Sequence, residues 1–179
     1  MLAARFASNT TVPEAPAEVL EAPRGLLSRT RESDAGPLAH AVGASLDHPR
    51  QWLSWATEEA ADVQAQRRRC REAETRWHDG RGYSYVLRPQ QSGQVIGSFD
   101  LWRIGLGAVE LGYWIHVDFT GRGYATACAR VLTTAGLALS GVERVDDVVP
   151  EAPAHSGRQQ IWVMQTATQS PQGQDPADP

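Results

Sequence analysis

The most informative absence in this chain of 179 residues is lysine, because all 17 basic residues are arginine. A Walker A phosphate loop, a pyridoxal phosphate Schiff base and a Ser-x-x-Lys acylase each need a lysine, so none of the three can be built here. Any phosphate this chain holds must be held by backbone N–H groups and guanidinium. Cysteine is scarce, with only Cys70 and Cys128 and no CxxC pair. That usage excludes a disulfide framework and fits the reducing cytoplasm. The five His and two Cys show no ligand spacing, so no metal is expected. No apolar run approaches the roughly 18 residues of a membrane span, and mean hydropathy is -0.39. The first twenty residues, MLAARFASNTTVPEAPAEVL, lack the continuous apolar core of a secretory signal. A net charge of -4 gives no electrostatic reason for a nucleic-acid partner. Neither a membrane nor a nucleic acid is expected to bind.

What the chain does have is enough apolar material for one domain. Forty-one per cent of residues are hydrophobic and six are Trp. A chain of roughly 150 residues can bury about two thirds of its unfolded surface, so no staples are needed. Residues 1–23, rich in Ala, Pro and Glu, read as a flexible lead-in, and 24–149 as the folded domain. Within it, RGLLSRTR (24–31) alternates as an edge strand, and Ser33 caps a short helix. Residues 52–77 contain neither Gly nor Pro and predict a long helix capped by Thr57 and ending before Asp79-Gly80. GYSYVLRP and GQVIGSFDLWRI read as two strands joined by QQSG. VERVDDVV begins as a strand whose alternation Asp146 and Asp147 interrupt. Residues 150–179, dominated by Pro and Gln, lose all periodicity and are expected to be disordered.

The chemistry concentrates in the stretch around residues 108–136. Val109, Leu111, Tyr113, Ile115 and Val117 fall at every second position, the period of a half-buried strand. Glu110, Gly112, Trp114 and His116 take the opposite face. After Thr120-Gly121-Arg122-Gly123 the period changes, and Cys128, Val131, Leu132, Ala135 and Leu139 recur at helical spacing up to Gly141. A strand, a tight glycine turn and a helix leave unpaired N–H groups where the macrodipole is positive, which makes a seat for an anion. A plain turn without a ligand remains the alternative. A Rossmann turn does not fit, since GRGYAT lacks the third glycine and no acidic second strand follows.

TGRGYA (120–125) is similar to the acetyl-CoA loop Gln/Arg-x-x-Gly-x-Gly/Ala of the GCN5-related N-acetyltransferase (GNAT) family. Thr120 stands at its first position, and Gly123 and Ala125 match the other two. The phrases ELGYWIHVDFTGRGYATA, DHPRQWLSWA and DGRGYSY resemble the branch of ribosomal-protein N-terminal acetyltransferases, RimJ/RimL-type, over about residues 12–145. The resemblance implies an α/β fold with a mixed, mostly antiparallel sheet flanked by helices. It implies transfer of an acetyl group from acetyl-CoA to a primary amine, on a protein N-terminus or a small molecule, and leaves a homodimer open. By position, the N–H groups of Gly121, Arg122, Gly123, Tyr124, Ala125 and Thr126 would cradle the coenzyme's diphosphate. Trp114, Ile115 and His116 would offer backbone groups to the pantetheine where the strand splays at a bulge. Glu110 would be the general base, although a solvated strand residue or an arginine's partner reads equally well. His116 is weighted toward a structural role.

Other candidates carry bland alternatives. RRRCR (67–71) could touch an outlying phosphate, lower the Cys70 pKa, or simply be a wet helix face. Trp52, Trp55, Tyr83 and Tyr85 could line an acceptor cleft or pack as core. Where the family continues with a full strand, an Asn, a small hydroxyl residue, a further helix and closing strands, this chain has DDVVPEAPAHSGRQQ. The resemblance therefore implies that the C-terminal strands and helix are missing, as a reading-frame change or truncation near residue 146 would produce. It leaves no position for the Tyr that protonates the leaving thiolate in many relatives, so a coenzyme-binding module without catalysis is the alternative to an enzyme.

Overall fold

The computed structural model describes residues 14–46 and 58–147. Trp52, Trp55, Thr57 and the stretch 148–179 lie outside the described residues. Those described build a six-stranded sheet in simple sequence order: β1 (Val19–Ala22), β2 (Gly25–Arg29), β3 (Gly82–Pro89), β4 (Gly97–Gly105), β5 (Ala108–Ile115) and β6 (Arg144–Asp147). Every neighbouring pair is antiparallel except β5 and β6, which run parallel. The helices are α1 (Ala35–Gly43), α2 (Val63–His78) and α3 (Tyr124–Leu137). This is the mixed α/β architecture that the sequence implies.

The first difference is β1. The stretch read as a flexible lead-in contains a strand, and RGLLSRTR is the second strand of the sheet rather than its edge. VLEA is too short and too exposed to announce itself by alternation. It is held by pairing with β2 and by two buried tyrosines whose hydroxyls donate to the chain just before it, Tyr83 to Glu14 O at 2.9 Å and Tyr85 to Ala17 O at 2.8 Å.

Helix starts follow local polar chemistry, but not always at the residues expected. Asp62, not Thr57, caps α2, its Oδ1 accepting from Ala65 N at 2.8 Å. Buried Ala65, Gln66, Cys70, Ala73 and Trp77 recur every three or four residues and turn one face of α2 inward. Asp34, not Ser33, is the residue just before α1, but its carboxylate does not cap α1 and instead accepts from Arg31 N at 2.8 Å, closing the short turn Glu32–Asp34. In α3, Cys128, Leu132 and Gly136 form the buried stripe, four residues apart.

The main core lies between α3 and the sheet, where Tyr83, Tyr85, Leu87, Phe99, Leu101, Val109, Leu111 and Leu132 are all buried. Trp77 meets Tyr83 and Tyr85 edge-on, each with ring centroids 5.2 Å away. Leu132 is fully buried, and Leu132→Ala is expected to cost about 2–5 kcal/mol through lost burial and the cavity left behind. A denaturant melt measures this, and a cost below about 1 kcal/mol would show that α3 is not clamped to the sheet as described.

Candidate active site

Strand β5, the glycine loop and α3 form one continuous unit. Val109 and Leu111 point into the core, as their alternation predicts, and Glu110 is half-buried on the opposite face. Register places Glu110 opposite Trp102 of β4 on one side and Asp146 of β6 on the other. Asp146 escaped the sequence reading because it sits where the alternation breaks. Its carboxylate is engaged by Arg144 Nε at 3.1 Å. Asp100 of β4, opposite Gly112 and one rung from Glu110, was also missed. Burial pushes its carboxyl above the usual range.

The three residues proposed for pantetheine separate. His116 N donates to Ile96 O at 2.8 Å, so its backbone faces β4. By the two-residue period, Trp114 faces the same way and Ile115 faces the side of β6. The β5–β6 ladder covers only Ala108–Leu111, so Ile115 lies beyond its end among the described residues. A bulge near the loop was expected, but the β4–β5 register runs unbroken to the Gly97–Ile115 pair and its irregularity lies at Arg103–Gly105. No bulge near the loop splays β5 from β4, and the described β5–β6 pairing runs from Ala108 to Leu111.

His116 is structural here. It is 5 % exposed, its Nδ1 accepts from Asp118 N at 3.2 Å, and its ring meets Phe119 edge-on. It caps the turn Val117–Phe119. Ser45, at the end of α1, ties the same turn down, accepting from Val117 N at 3.2 Å while donating to Ala41 O at 2.9 Å. Thr120 Oγ1 donates to Val117 O at 2.8 Å.

The loop then rises through two left-handed glycines, Gly121 at φ +70° and Gly123 at φ +81°. Side chains other than Asn and Asp rarely take this conformation, so the Gly-x-Gly spacing is what brings the backbone to α3. Gly123 is the N-cap, and the first helical bond runs from Ala127 N to Gly123 O at 3.1 Å. Tyr124, Ala125 and Thr126 thus start the helix with N–H groups that have no acceptor within it. Arg122 lies over the Phe119 ring at 5.2 Å. Two open clefts, of about 390 and 370 Å³, lie elsewhere, and no loop residue lines either one. Gly121, Arg122 and Gly123 are exposed, so among the described residues the loop offers a polar ledge.

Tyr83 and Tyr85 belong to the core, not to an acceptor cleft. Arg67 and Arg71 face Glu32, and Arg68 faces Glu59, so these arginines form a paired, solvated helix surface. Cys70 is 1 % exposed. Burial, followed by the Asp34 and Glu74 charges, pushes its thiol from 9.0 up to about 11. Of the alternatives for RRRCR, this rules out a thiol activated by its arginine neighbours and leaves the solvated helix face. Because the folded value is the raised one, the protonated thiol's contribution to stability is intact below about pH 9 and is lost as the pH rises toward about 11. Denaturant melts across this window are expected to show a loss that is shallower in Cys70→Ala. Identical slopes would contradict it.

A sequence model of the acetyltransferase (GNAT) domain matches residues 24–156, most of the chain. The chain belongs to the GNAT acetyltransferase family. Among solved structures, this GNAT domain is similar to RimL, a ribosomal L7/L12 alpha-N-protein acetyltransferase in complex with coenzyme A, at 19 % identity and a TM-score of 0.65, covering 72 % of each chain. It is similar to Mycobacterium smegmatis RimJ in complex with CoA-disulfide at 20 % identity and a TM-score of 0.61, covering 78 % of this chain and 70 % of that one. It is also similar to the microcin C7 self-immunity acetyltransferase in complex with acetyl-CoA and AMP, at 12 % identity and a TM-score of 0.62, covering 69 % and 68 %. No curated protein matches the sequence. No helix among the described residues is long and apolar enough to cross a membrane.

Proposed function

We propose that this GNAT domain transfers the acetyl group of acetyl-CoA to a primary amine, with Glu110 as the base that takes the amine's proton. The observation that carries the reading is the ledge of N–H groups at Gly123–Thr126, lifted into place by Gly121 and Gly123 at the start of α3. A diphosphate suits that ledge because unpaired donors and the positive end of the helix dipole coincide there. Thr120, Gly121 and Arg122 complete the loop. The pantetheine arm would run toward Ile115, whose backbone faces away from β4, with Trp114 and His116 behind it as the paired wall of β5. Complexes of RimL, RimJ and the microcin immunity enzyme with coenzyme A or acetyl-CoA support that choice of donor.

In this reading the acceptor ammonium first loses a proton to Glu110, directly or through one water. The free amine attacks the thioester carbonyl, forming the N–C bond and a tetrahedral intermediate; its nitrogen then loses a second proton to water as the C=O bond re-forms and the C–S bond breaks. The coenzyme leaves as thiolate and takes a proton from solvent. Holding donor and acceptor in one cleft supplies much of the rate. The acceptor class is a primary amine, on a protein N-terminus or a small molecule, and the reaction belongs in the cytoplasm, where acetyl-CoA is made and used. Calorimetry tests the donor half: acetyl-CoA is expected to bind one-to-one in competition with coenzyme A, and free thiol is expected to appear when amine is added. No heat of binding at millimolar acetyl-CoA would overturn the reading.

A further inference from the structure

The loop departs from its family's motif at the first position, where Thr120 replaces Gln or Arg. The Thr120 hydroxyl is spent on Val117 O at 2.8 Å, so it brings neither charge nor a free donor to the ledge. A cation nevertheless reaches the loop from a distant part of the chain. Arg24 sits in the two-residue turn between β1 and β2, and its Nε lies 3.6 Å from where a Cβ would stand on Gly123, with Cδ at 4.0 Å. Its neighbours are committed: Arg29 and Arg31 to Glu18, and Arg88 to Asp34, at 2.6–2.7 Å. Among the described residues Arg24 has no such carboxylate, and it is exposed. The turn that carries it is firmly placed. Pro23 fixes its entry, Ala22 pairs with Gly25 across it, and Arg29 N donates to Glu18 O at 2.7 Å along the same hairpin.

We propose that Arg24 is a coenzyme-binding residue that supplies to the phosphates of acetyl-CoA the positive charge that Thr120 does not. This rests on the reading of the glycine loop as the diphosphate seat. A guanidinium beside the ledge adds a charge-assisted, bidentate contact to neutral N–H donors, and it does so from a rigid hairpin. The contact is made to the phosphates rather than to the thioester, so Arg24 governs affinity and leaves the chemical step alone.

The test is the dissociation constant of acetyl-CoA, measured by calorimetry at low and high salt in the full chain, in Arg24→Gln and in Arg24→Lys. Arg24→Gln is expected to weaken binding about ten-fold at low salt. The gap should narrow at high salt as screening removes the attraction, and Arg24→Lys should recover part of the loss. The unliganded melting temperature should not move. Equal affinity in Arg24→Gln and wild type, or a deficit that salt does not change, overturns the proposal. Gly123→Asp separates this outcome from failure of the loop reading. If it abolishes binding while Arg24→Gln is neutral, the loop stands and the Arg24 inference falls. If Gly123→Asp binds normally, both fall.

Discussion

Gly123→Asp is expected to remove the whole stabilisation that acetyl-CoA gives the wild-type protein, about 2.7 kcal/mol at a hundred times the dissociation constant. The variant should still fold. Position 123 is left-handed at φ +81°, which Asp tolerates better than most side chains, and it is an N-cap, where Asp is among the preferred residues. The new carboxylate would stand on the very donors that a diphosphate needs. It would also lie beside the Arg24 guanidinium, 3.6 Å from the Cβ position. The ledge would thus be filled by an internal anion. Gly123→Asn provides the control, since it has nearly the same shape without the charge and should keep part of the ligand-induced shift. Thermal melts with and without acetyl-CoA read the result, and an unchanged shift in Gly123→Asp would contradict the loop assignment.

Glu110→Gln is expected to lower kcat about a hundred-fold near neutral pH while leaving the affinity for acetyl-CoA at the wild-type level. The substitution keeps the shape of a half-buried side chain between Trp102 and Asp146, so packing and register survive. What is lost is a proton acceptor on the face of β5 opposite the core. The deficit should shrink as the pH rises, because an amine that arrives unprotonated needs no base. Steady-state rates from about pH 6 to pH 9 provide the measurement. Full activity across that range would make Glu110 a bystander and shift attention to Asp100, one rung away.

The elements legible in the sequence were those whose local chemistry and tertiary role agree. β5 alternates because one face is core, β3 reads as a strand because it is buried on both faces, and α3 begins where Gly121 and Gly123 require positive φ. The glycine loop could be read at the level of single residues because backbone geometry dictates its composition. β1 was not legible, since four residues of VLEA carry no period and owe their structure to β2 and to two tyrosine hydroxyls from β3. Asp62 was passed over for Thr57 because both are good caps, and only the fold decides where a helix breaks. Arg24 left no local signal at all, because its approach to Gly123 joins residues about a hundred positions apart. For Tyr83 and Tyr85 the sequence allowed either a cleft or packing, and the fold decides for packing, with both rings buried against Trp77.

The most direct test is to follow the acetyl group itself. The chain is mixed with acetyl-CoA carrying an isotopic label in the acetyl carbonyl and with a pool of primary amines that includes peptides with free N-termini, and the products are read by mass spectrometry. The account predicts label in amide linkage to at least one amine, with free coenzyme A formed in equal amount and both signals greatly reduced in Glu110→Gln. Label that stays on the coenzyme throughout, in a protein that binds it, would contradict the account and leave a coenzyme-binding module without transfer.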